Sequence, residues 1–180
     1  MSVTPSFPDV NVRSQTYYVA LTSVRCPHCG YSTRLLALAM PRGHETLHAG
    51  ARDGSGADRD VDELCDESVQ DVWQRADANA LLFYVEGLPG FVQSRLQQLS
   101  RFFHLAYDPG ARNSYWANHC QHCGSLLGDH ELHCEPAGAF MPWSEAAAKN
   151  IRLLRYQEPF AAAAVGYACE PEFFTSMRTG

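Results

Sequence analysis

Hydrophobic and polar residues form short runs along much of the chain, and these runs predict β-strands. They are rich in β-branched, aromatic and aliphatic side chains and are bounded by turn-forming residues. The predicted strands are residues 16–24, 31–40, 80–85, 101–107, 114–118, 125–127 and 129–132. The run LLALAM in the second strand would also suit a helix, but its flanks favour a hairpin of two strands joined by a tight turn.

Apolar residues recur at every third or fourth position in three other segments, which is the period of a helix packed on one side. The first begins at Asp60 and Glu63, which form a capping-box-like start, and continues to about residue 77 with an acidic outer face. Pro89 suits the first turn of the second helix, and Ser144 suits the N-cap of the third. The apolar stripes are Val61, Cys65, Val69, Val72 and Ala76; Val92, Leu96 and Leu99; and Ala147, Ile151 and Leu154. A fourth, short and alanine-rich helix is predicted after Pro159.

These elements predict an α+β fold, with antiparallel strands and three to four packed helices. The length of 180 residues suits one domain. Residues 1–15 and 171–180 are predicted to be tails on either side of a domain at 16–170. Within that domain, a loop rich in Gly, Asp and Ala and the acidic helix make an insert at 49–77.

The charge is unevenly distributed. The chain has 20 acidic and 14 basic residues, a net charge of −6. Residues 42–77 hold ten acids and four arginines, which accounts for the whole excess. Because no basic run appears, a nucleic-acid partner is possible but not favoured, and another protein is the expected partner.

The cellular location is predicted from what the sequence lacks. Residues 1–15 contain no apolar core of a signal peptide, and no segment approaches the roughly 18 apolar residues that span a bilayer. A chain with seven cysteines and no export signal favours reduced thiols and metal binding over disulfides. The expected location is the cytoplasm, with no membrane association.

Two matching cysteine turns carry the strongest chemical signal. CPHCG at 26–30 and CQHCG at 120–124 each place two thiols on one side of a tight loop. Glycine after the second cysteine, Gly30 or Gly124, suits a backbone of positive φ. Zinc prefers four soft donors in a tetrahedron. The sequence therefore predicts one structural Zn²⁺ per chain, held by Cys26, Cys29, Cys120 and Cys123 in a split zinc ribbon.

Two alternatives concern the same turns. Cys26-Pro27-His28-Cys29 also has the residues of a strongly oxidising thioredoxin-type site, in which a helix N-terminus stabilises the first thiolate. That thiol redox hypothesis leaves Cys120 and Cys123 unexplained. The histidines inside the turns, His28 and His122, are expected to point outward rather than to replace a cysteine ligand. The remaining cysteines, Cys65, Cys134 and Cys169, are expected to be apolar fillers.

A third group of polar residues follows the second turn. On a strand, Asp129, Glu131 and His133 would lie on one face and could form a second metal or acid–base site. This makes a metal-dependent enzyme an alternative function. The simpler expectation is that Asp129 accepts hydrogen bonds from the backbone of a turn near the second cysteine pair, leaving Glu131 and His133 as a possible secondary site.

The pattern YWANxCxHCG at 115–124, followed by GDxxLH at 128–133 and GAFxP at 138–142, resembles a group of small bacterial zinc-ribbon proteins. In that group an early CxxCG turn pairs with this later one. The resemblance covers roughly residues 17–40 and 80–160, and it implies a split zinc ribbon but no activity. The predicted function is a structural-zinc module, not an enzyme, that binds another protein; a nucleic-acid-binding ribbon using Arg25 and Arg34 is the alternative.

Overall fold

The strands belong to two sheets that together hold most of the regular structure. The computed structural model describes residues 10–48, 71–169 and 173–180. The strands are β1 (Val12–Ser14), β2 (Tyr17–Arg25), β3 (Ser32–Met40), β4 (Glu45–His48), β5 (Val72–Arg75), β6 (Ala80–Gly87), β7 (Phe103–Asp108), β8 (Asn113–His119), β9 (Leu126–Leu127), β10 (Arg152–Tyr156), β11 (Phe160–Cys169) and β12 (Arg178–Thr179). The helices are α1 (Gly90–Leu99) and α2 (Glu145–Ala148), and shorter turns are a π-helix at His130–Cys134 and a 3-10 helix at Phe174–Ser176.

The larger sheet has nine strands in the order β12-β10-β2-β3-β6-β11-β1-β4-β5, and the smaller has the order β7-β8-β9. Every strand pair is antiparallel except β10 with β12. Within the described residues only α1, with ten residues, is longer than two turns. The protein is therefore mostly β, and the predicted α+β fold with three to four packed helices is wrong.

Strand β3 is an inner strand of the larger sheet and is buried on both faces from Leu35 to Met40. Leu36, Leu38 and Met40 pack into one hydrophobic cluster together with α1, while Leu35 and Ala37 pack into a second cluster on the other face. A strand covered on both sides has no polar face, so its sequence is a continuous run of apolar residues. This explains why LLALAM resembles a helix in the sequence and is nevertheless a strand.

The alanine-rich segment after Pro159 is strand β11 and not the predicted helix. It pairs with β6 on one side and with β1 on the other. Alanine is the best helix former, but the backbone pairing with β1 along residues 160–162 and with β6 along residues 163–169 outweighs a propensity difference of well under about 1 kcal/mol per residue. The long-range pairing therefore decides this segment.

The helix predicted from Ser144 to about residue 155 stops after one turn. Ser144 Oγ does accept the Ala147 N–H at 3.1 Å, as an N-cap should. Residues Arg152–Tyr156 then form β10, which pairs with β2, and the buried residues Ile151 and Leu153 alternate as they do in a strand. Leu154, predicted to be on the buried helical stripe, is only half-buried.

Four further segments differ from their predicted structure. Val72–Arg75 forms β5, so the predicted acidic helix does not extend through Val72; the rest of that helix lies outside the described residues. His130–Cys134 forms a π-helical turn instead of a return strand, closed by the Glu135 N–H on the His130 carbonyl at 3.2 Å. Both predicted tails contribute strands, β1 and β12, and Val12 of β1 is fully buried.

No helix in the described part of the chain has the length and apolar character needed to cross a membrane.

Gly166 of β11 lies directly against the ring of Phe83 on β6, and its substitution tests this packing. A Cβ at position 166 would come 2.2 Å from Phe83 Cε2. We expect Gly166→Ala to lower the free energy of unfolding by about 1–3 kcal/mol, because the ring has to move out of a packed position. The measurement is chemical denaturation, with Gly90→Ala as the control, because nothing lies within 4 Å of a Cβ there. Equal stability of the two variants would contradict this packing.

Candidate metal centre

The two cysteine turns have the same backbone structure. In the first, which joins β2 to β3, the Gly30 N–H donates to the Cys26 carbonyl at 2.8 Å. In the second, which joins β8 to β9, the Gly124 N–H donates to the Cys120 carbonyl at 3.0 Å. Gly30 and Gly124 have φ values of 75° and 73°. A residue with a Cβ is strained at such φ values, so the glycines allow each turn to close.

The four cysteines of these turns meet at one point. Their Sγ atoms all lie within 4.8 Å of one another, and two pairs across the turns, Cys26–Cys123 and Cys29–Cys120, are 3.7 and 3.6 Å apart. These separations are far too long for a disulfide, whose S–S bond is about 2.05 Å. A tetrahedron with metal–sulfur bonds of about 2.3 Å has edges of about 3.8 Å. The four-cysteine cluster can therefore hold a metal ion.

Hydrogen bonds lower the pKa of both thiols of the second turn. The Cys123 N–H, together with the His122 N–H and against the effect of burial, lowers the pKa of the Cys120 thiol to about 6. The Ser125 side chain, whose Oγ lies 3.2 Å from Cys123 Sγ, lowers the pKa of the Cys123 thiol. Cys29 differs: the Tyr31 N–H favours its thiolate, but burial and the neighbouring thiols raise its pKa to about 12. Four adjacent sulfurs cannot all be ionised without a cation to balance them.

The second turn is fixed to the larger sheet by buried hydrogen bonds. Asn118, two residues before Cys120, accepts the Leu36 N–H at 2.8 Å and donates to the Leu36 carbonyl at 2.9 Å. The Gln121 N–H donates to Thr33 Oγ1 at 3.1 Å. Both contacts join the β8 end of the smaller sheet to β3. They hold the two cysteine pairs, which are far apart in sequence, at the same place.

The two histidines inside the turns do not belong to the sulfur cluster. His28 and His122 are both exposed, as expected. The His122 ring stacks on the Tyr31 ring with centroids 4.7 Å apart, so the turns also touch through aromatic side chains. Neither ring nitrogen is part of the four-sulfur group.

The structure removes the physical basis of the redox alternative. The segment after Cys29 enters strand β3 and not a helix, so no helix N-terminus stabilises the Cys26 thiolate. Cys26 is 2% exposed, and its Sγ lies 3.7 Å from Cys123 Sγ of the other turn. Cys26 is therefore placed as a member of a four-thiol group.

The possible secondary site does not assemble. Because residues 130–134 are helical, Asp129, Glu131 and His133 do not share a face: Asp129 and His133 are buried and Glu131 is exposed. Glu131 lines an open cleft of about 690 Å³ beside the first cysteine turn. Asp129 and His133 line a void of only about 10 Å³ inside the core. Neither of these two cavities brings the three side chains together.

Asp129 instead fixes the backbone of β6, which is close to its simpler predicted role. Its Oδ2 accepts the Tyr84 N–H at 2.6 Å, and its own N–H donates to the Tyr115 hydroxyl at 3.2 Å. Tyr115 in turn donates to Asp108 at 2.6 Å. Tyr84 has a φ of 51°, unfavourable for a residue with a Cβ, and the bond to Asp129 stabilises that conformation. No motif in the sequence pointed to Tyr84, whereas the YW pair before the second turn marked Tyr115 as part of the pattern.

Asp129 and His133 are both buried, and we expect them to make opposite contributions to the pH dependence of folding stability, which partly cancel. Burial raises the pKa of Asp129 to about 7, so its contribution to stability falls as pH rises from about 4 to 7. Burial lowers the pKa of His133 to about 3, so its contribution is present above pH 6.5 and is lost as pH falls towards 3. We expect Asp129→Asn to remove the first effect and to become more stable relative to the wild type as pH rises from 4 to 7.

The measurement is chemical denaturation of both proteins at several pH values. The free energy of unfolding of Asp129→Asn should rise relative to that of the wild type by up to about 4 kcal/mol. Glu145→Gln is the control, since that side chain is exposed and, unlike Glu131, is not among the charges that raise the pKa of Asp129. Parallel profiles of Asp129→Asn and the wild type would contradict a protonated Asp129 in the folded state.

The remaining cysteines contribute no ligand in the described region. Cys134 is exposed, so it is not the apolar filler that was predicted. Cys65 and the side chain of Cys169 lie outside what the structure describes.

Comparison of the chain with family models, with curated proteins and with solved structures finds no match.

Proposed function

We propose that the four-cysteine cluster holds one structural Zn²⁺ and that the protein is a non-enzymatic module that binds another protein. The observation that carries the proposal is the convergence of four sulfurs from two separate turns within 4.8 Å. Among the common metals, zinc suits a tetrahedral site made of four sulfur ligands. Because four thiolates fill a tetrahedron, no coordination position remains for a substrate, so the ion stabilises the fold.

Zinc binding is tested by elemental analysis combined with thiol titration of the purified protein. One zinc per chain is expected, with four thiols that react only after a chelator has been added. A metal-free protein whose thiols all react at once would contradict the zinc site, and iron at the same stoichiometry would contradict zinc as the ion. The proposed compartment is the cytoplasm, where such thiols stay reduced.

The surface proposed for the partner protein is strand β7. It is an outer strand of the smaller sheet, and its only strand partner in the described residues is β8. Leu105 and Tyr107, two residues apart, project from the same face and are 53% and 60% exposed. Apolar side chains at alternate positions beside an open backbone edge suit an extended segment of another protein, added as a further strand.

The partner is tested by capture from the native host, with amide hydrogen exchange to locate the contact. We expect a captured protein to slow exchange in β7 and to be lost from the double variant Leu105→Glu, Tyr107→Glu. Val165→Glu, on the distant strand β11, is the matched control because Val165 is 63% exposed. A partner that still binds the double variant, or that protects another strand, would contradict this surface.

A further inference from the structure

The open cleft of about 690 Å³ beside the first cysteine turn is assembled from five separate parts of the chain. They are the end of β2 with the first cysteine turn, β6, the turn between β7 and β8, the segment from β9 through the π-helix, and the loop after it. A cleft of this volume with largely apolar walls is of the size that holds small organic molecules. The apolar side chains of the lining include Val24, Pro27, Leu126, Leu127, Leu132 and Ala139.

Two carboxylates line this cleft close to each other. Glu131 Oε2 and Asp108 Oδ2 lie 2.7 and 3.4 Å from the point that a Cβ of Gly128 would occupy, so they are at most about 6 Å apart. Neither acid takes part in a salt bridge within the described residues. The cleft therefore presents two negative charges, without a basic partner, within reach of one cationic group.

Asp108 is held in position by hydrogen bonds. Its Oδ1 accepts the Gly110 N–H at 2.8 Å, and its Oδ2 accepts the Tyr115 hydroxyl at 2.6 Å. Against the effect of burial, these bonds and the Ala111 N–H lower the pKa of Asp108, so it is a carboxylate at neutral pH. Each carboxylate oxygen has a second lone pair, which can accept a hydrogen bond from a ligand. Because the acceptor is already ordered, little conformational freedom is lost on binding.

Tyr84 supplies an aromatic ring beside these carboxylates. Its side chain lines the cleft, and its ring packs at right angles to that of Tyr115 with centroids 4.9 Å apart. Burial, together with the charges of neighbouring groups that include Asp108 and Glu131, raises the pKa of Tyr84. An aromatic ring attracts a nearby cation, so this residue and the two acids favour the same kind of ligand.

The three described residues that have a side chain and a positive φ all lie at this cleft. They are Tyr84, Arg112 and Ala137, with φ values of 51°, 53° and 64°. Tyr84 and Ala137 line the cleft, and Arg112 follows the lining residue Ala111. Unfavourable backbone conformations persist only where the surrounding structure holds them, and they cluster at ligand-binding sites. Their distribution supports a binding role for the cleft.

The basic residues of the lining do not neutralise its acids. Arg25 lines the cleft, but its Nη1 lies 3.5 Å from the Gly30 carbonyl of its own turn, and no salt bridge joins it to either acid. His28 and His130 also line the cleft, and both are exposed. The two carboxylates are thus free to bind a ligand.

We propose that this cleft binds a small organic cation, in which an ammonium or guanidinium group is attached to an apolar body. The cationic group bonds to Asp108 and Glu131 beside the Tyr84 ring, and the apolar body packs on side chains such as Leu126 and Leu132. A bare metal ion fits less well, because among the described residues the four cysteines are the one group of three or more close ligands. The inference goes beyond the proposed partner protein, since it concerns a cleft and not a strand edge.

Three probes of similar size and different charge test the proposal. Phenethylamine is the cation, 2-phenylethanol is its neutral counterpart and phenylacetate is the anion. Each is titrated into the full-length protein as purified, and the amide NMR signals of the cleft residues Gly110, Gly128 and Gly138 are followed. We expect phenethylamine to shift these signals to saturation and 2-phenylethanol to bind about four- to 25-fold more weakly, while phenylacetate does not bind.

Substitutions of the two acids separate charge from the shape of the cleft. Glu131→Gln and Asp108→Asn should each weaken binding of phenethylamine about two- to fivefold, and together about four- to 25-fold, with binding of 2-phenylethanol unchanged. Glu131 is exposed, so its variant should keep the wild-type melting temperature. Glu135→Gln is the matched control, because Glu135 is exposed, lies four residues further along and does not line the cleft.

Four results would overturn the proposal. The first is absence of shifts at the three glycines with phenethylamine. The second is equal affinity for phenethylamine and 2-phenylethanol, which would make the cleft a purely apolar pocket. The third is tighter binding of phenylacetate, which would make it an anion site. The fourth is binding of a tetralysine peptide at the glycines without binding of phenethylamine, which would make it a surface for a basic protein segment.

Discussion

Replacing Cys120 by serine is expected to abolish metal binding and to unfold most of the chain at room temperature. Zinc binding contributes about 10–16 kcal/mol in small zinc modules, whereas a domain has a net stability of only about 5–15 kcal/mol. Cys120 is fully buried and lies 3.6 Å from Cys29 Sγ, so a serine there both removes a ligand and leaves a buried hydroxyl without its partner. Cys26→Ser should have the same effect from the other turn.

The chain supplies its own control for this experiment. Cys134 is an unpaired cysteine that is exposed and lies outside the four-sulfur group. Cys134→Ser should keep one zinc per chain and an unchanged melting temperature. The variants are compared by circular dichroism, metal analysis and heating with and without a chelator. A soluble, folded Cys120→Ser protein that retains one equivalent of zinc would show that the four cysteines are not the ligands.

Replacing Asn118 by alanine is expected to lower the free energy of unfolding by about 2–5 kcal/mol. The Asn118 side chain is 1% exposed and satisfies both the N–H and the carbonyl of Leu36. Its loss leaves two buried backbone groups unpaired, each costing about 1–3 kcal/mol. Zinc should also be lost to a chelator more readily, because this contact holds the second cysteine turn against β3.

Chemical denaturation and competition for zinc with a chromogenic chelator measure the two effects of this substitution. Asn150→Ala is the matched control, since Asn150 is exposed and makes no side-chain hydrogen bond in the described structure. Asn118→Asp is informative as well, because it retains an acceptor for the Leu36 N–H and loses the donor to the Leu36 carbonyl. Wild-type stability of Asn118→Ala would mean that water replaces the amide and that the contact is not a structural link.

Local signals predicted the elements that local chemistry controls. The hairpin around CPHCG, the strand before the second turn and the helix after Pro89 are all present, with Val92 and Leu96 buried as their spacing indicated. Glycine after each cysteine pair also has the positive φ that the turn needs. In these segments the sequence pattern and the required backbone conformation agree over a few residues.

Errors arose where distant pairing outweighed local preference. β11 is rich in alanine, yet it is a strand because it pairs with β6 and β1. Ile151 and Leu154 have helical spacing, yet residues 152–156 form a strand because they pair with β2. The π-helix after Asp129 moved Glu131 away from Asp129 and His133, and the enzyme alternative depended on their sharing a face. The periodicity of a segment does not show which distant strand it will pair with.

By itself, the sequence determined the two CxxCG turns, because two thiols and a glycine at that spacing dictate a local backbone that presents sulfur to a metal. The two matching turns also predicted that their four cysteines share one site, which the structure confirms as a cluster. Only the tertiary structure showed what brings the turns together, namely the bonds of Asn118 and Thr33 that join the smaller sheet to β3. It also decided that the protein is mostly β. These features arise from contacts between residues up to about 150 positions apart, which spacing along the chain does not encode.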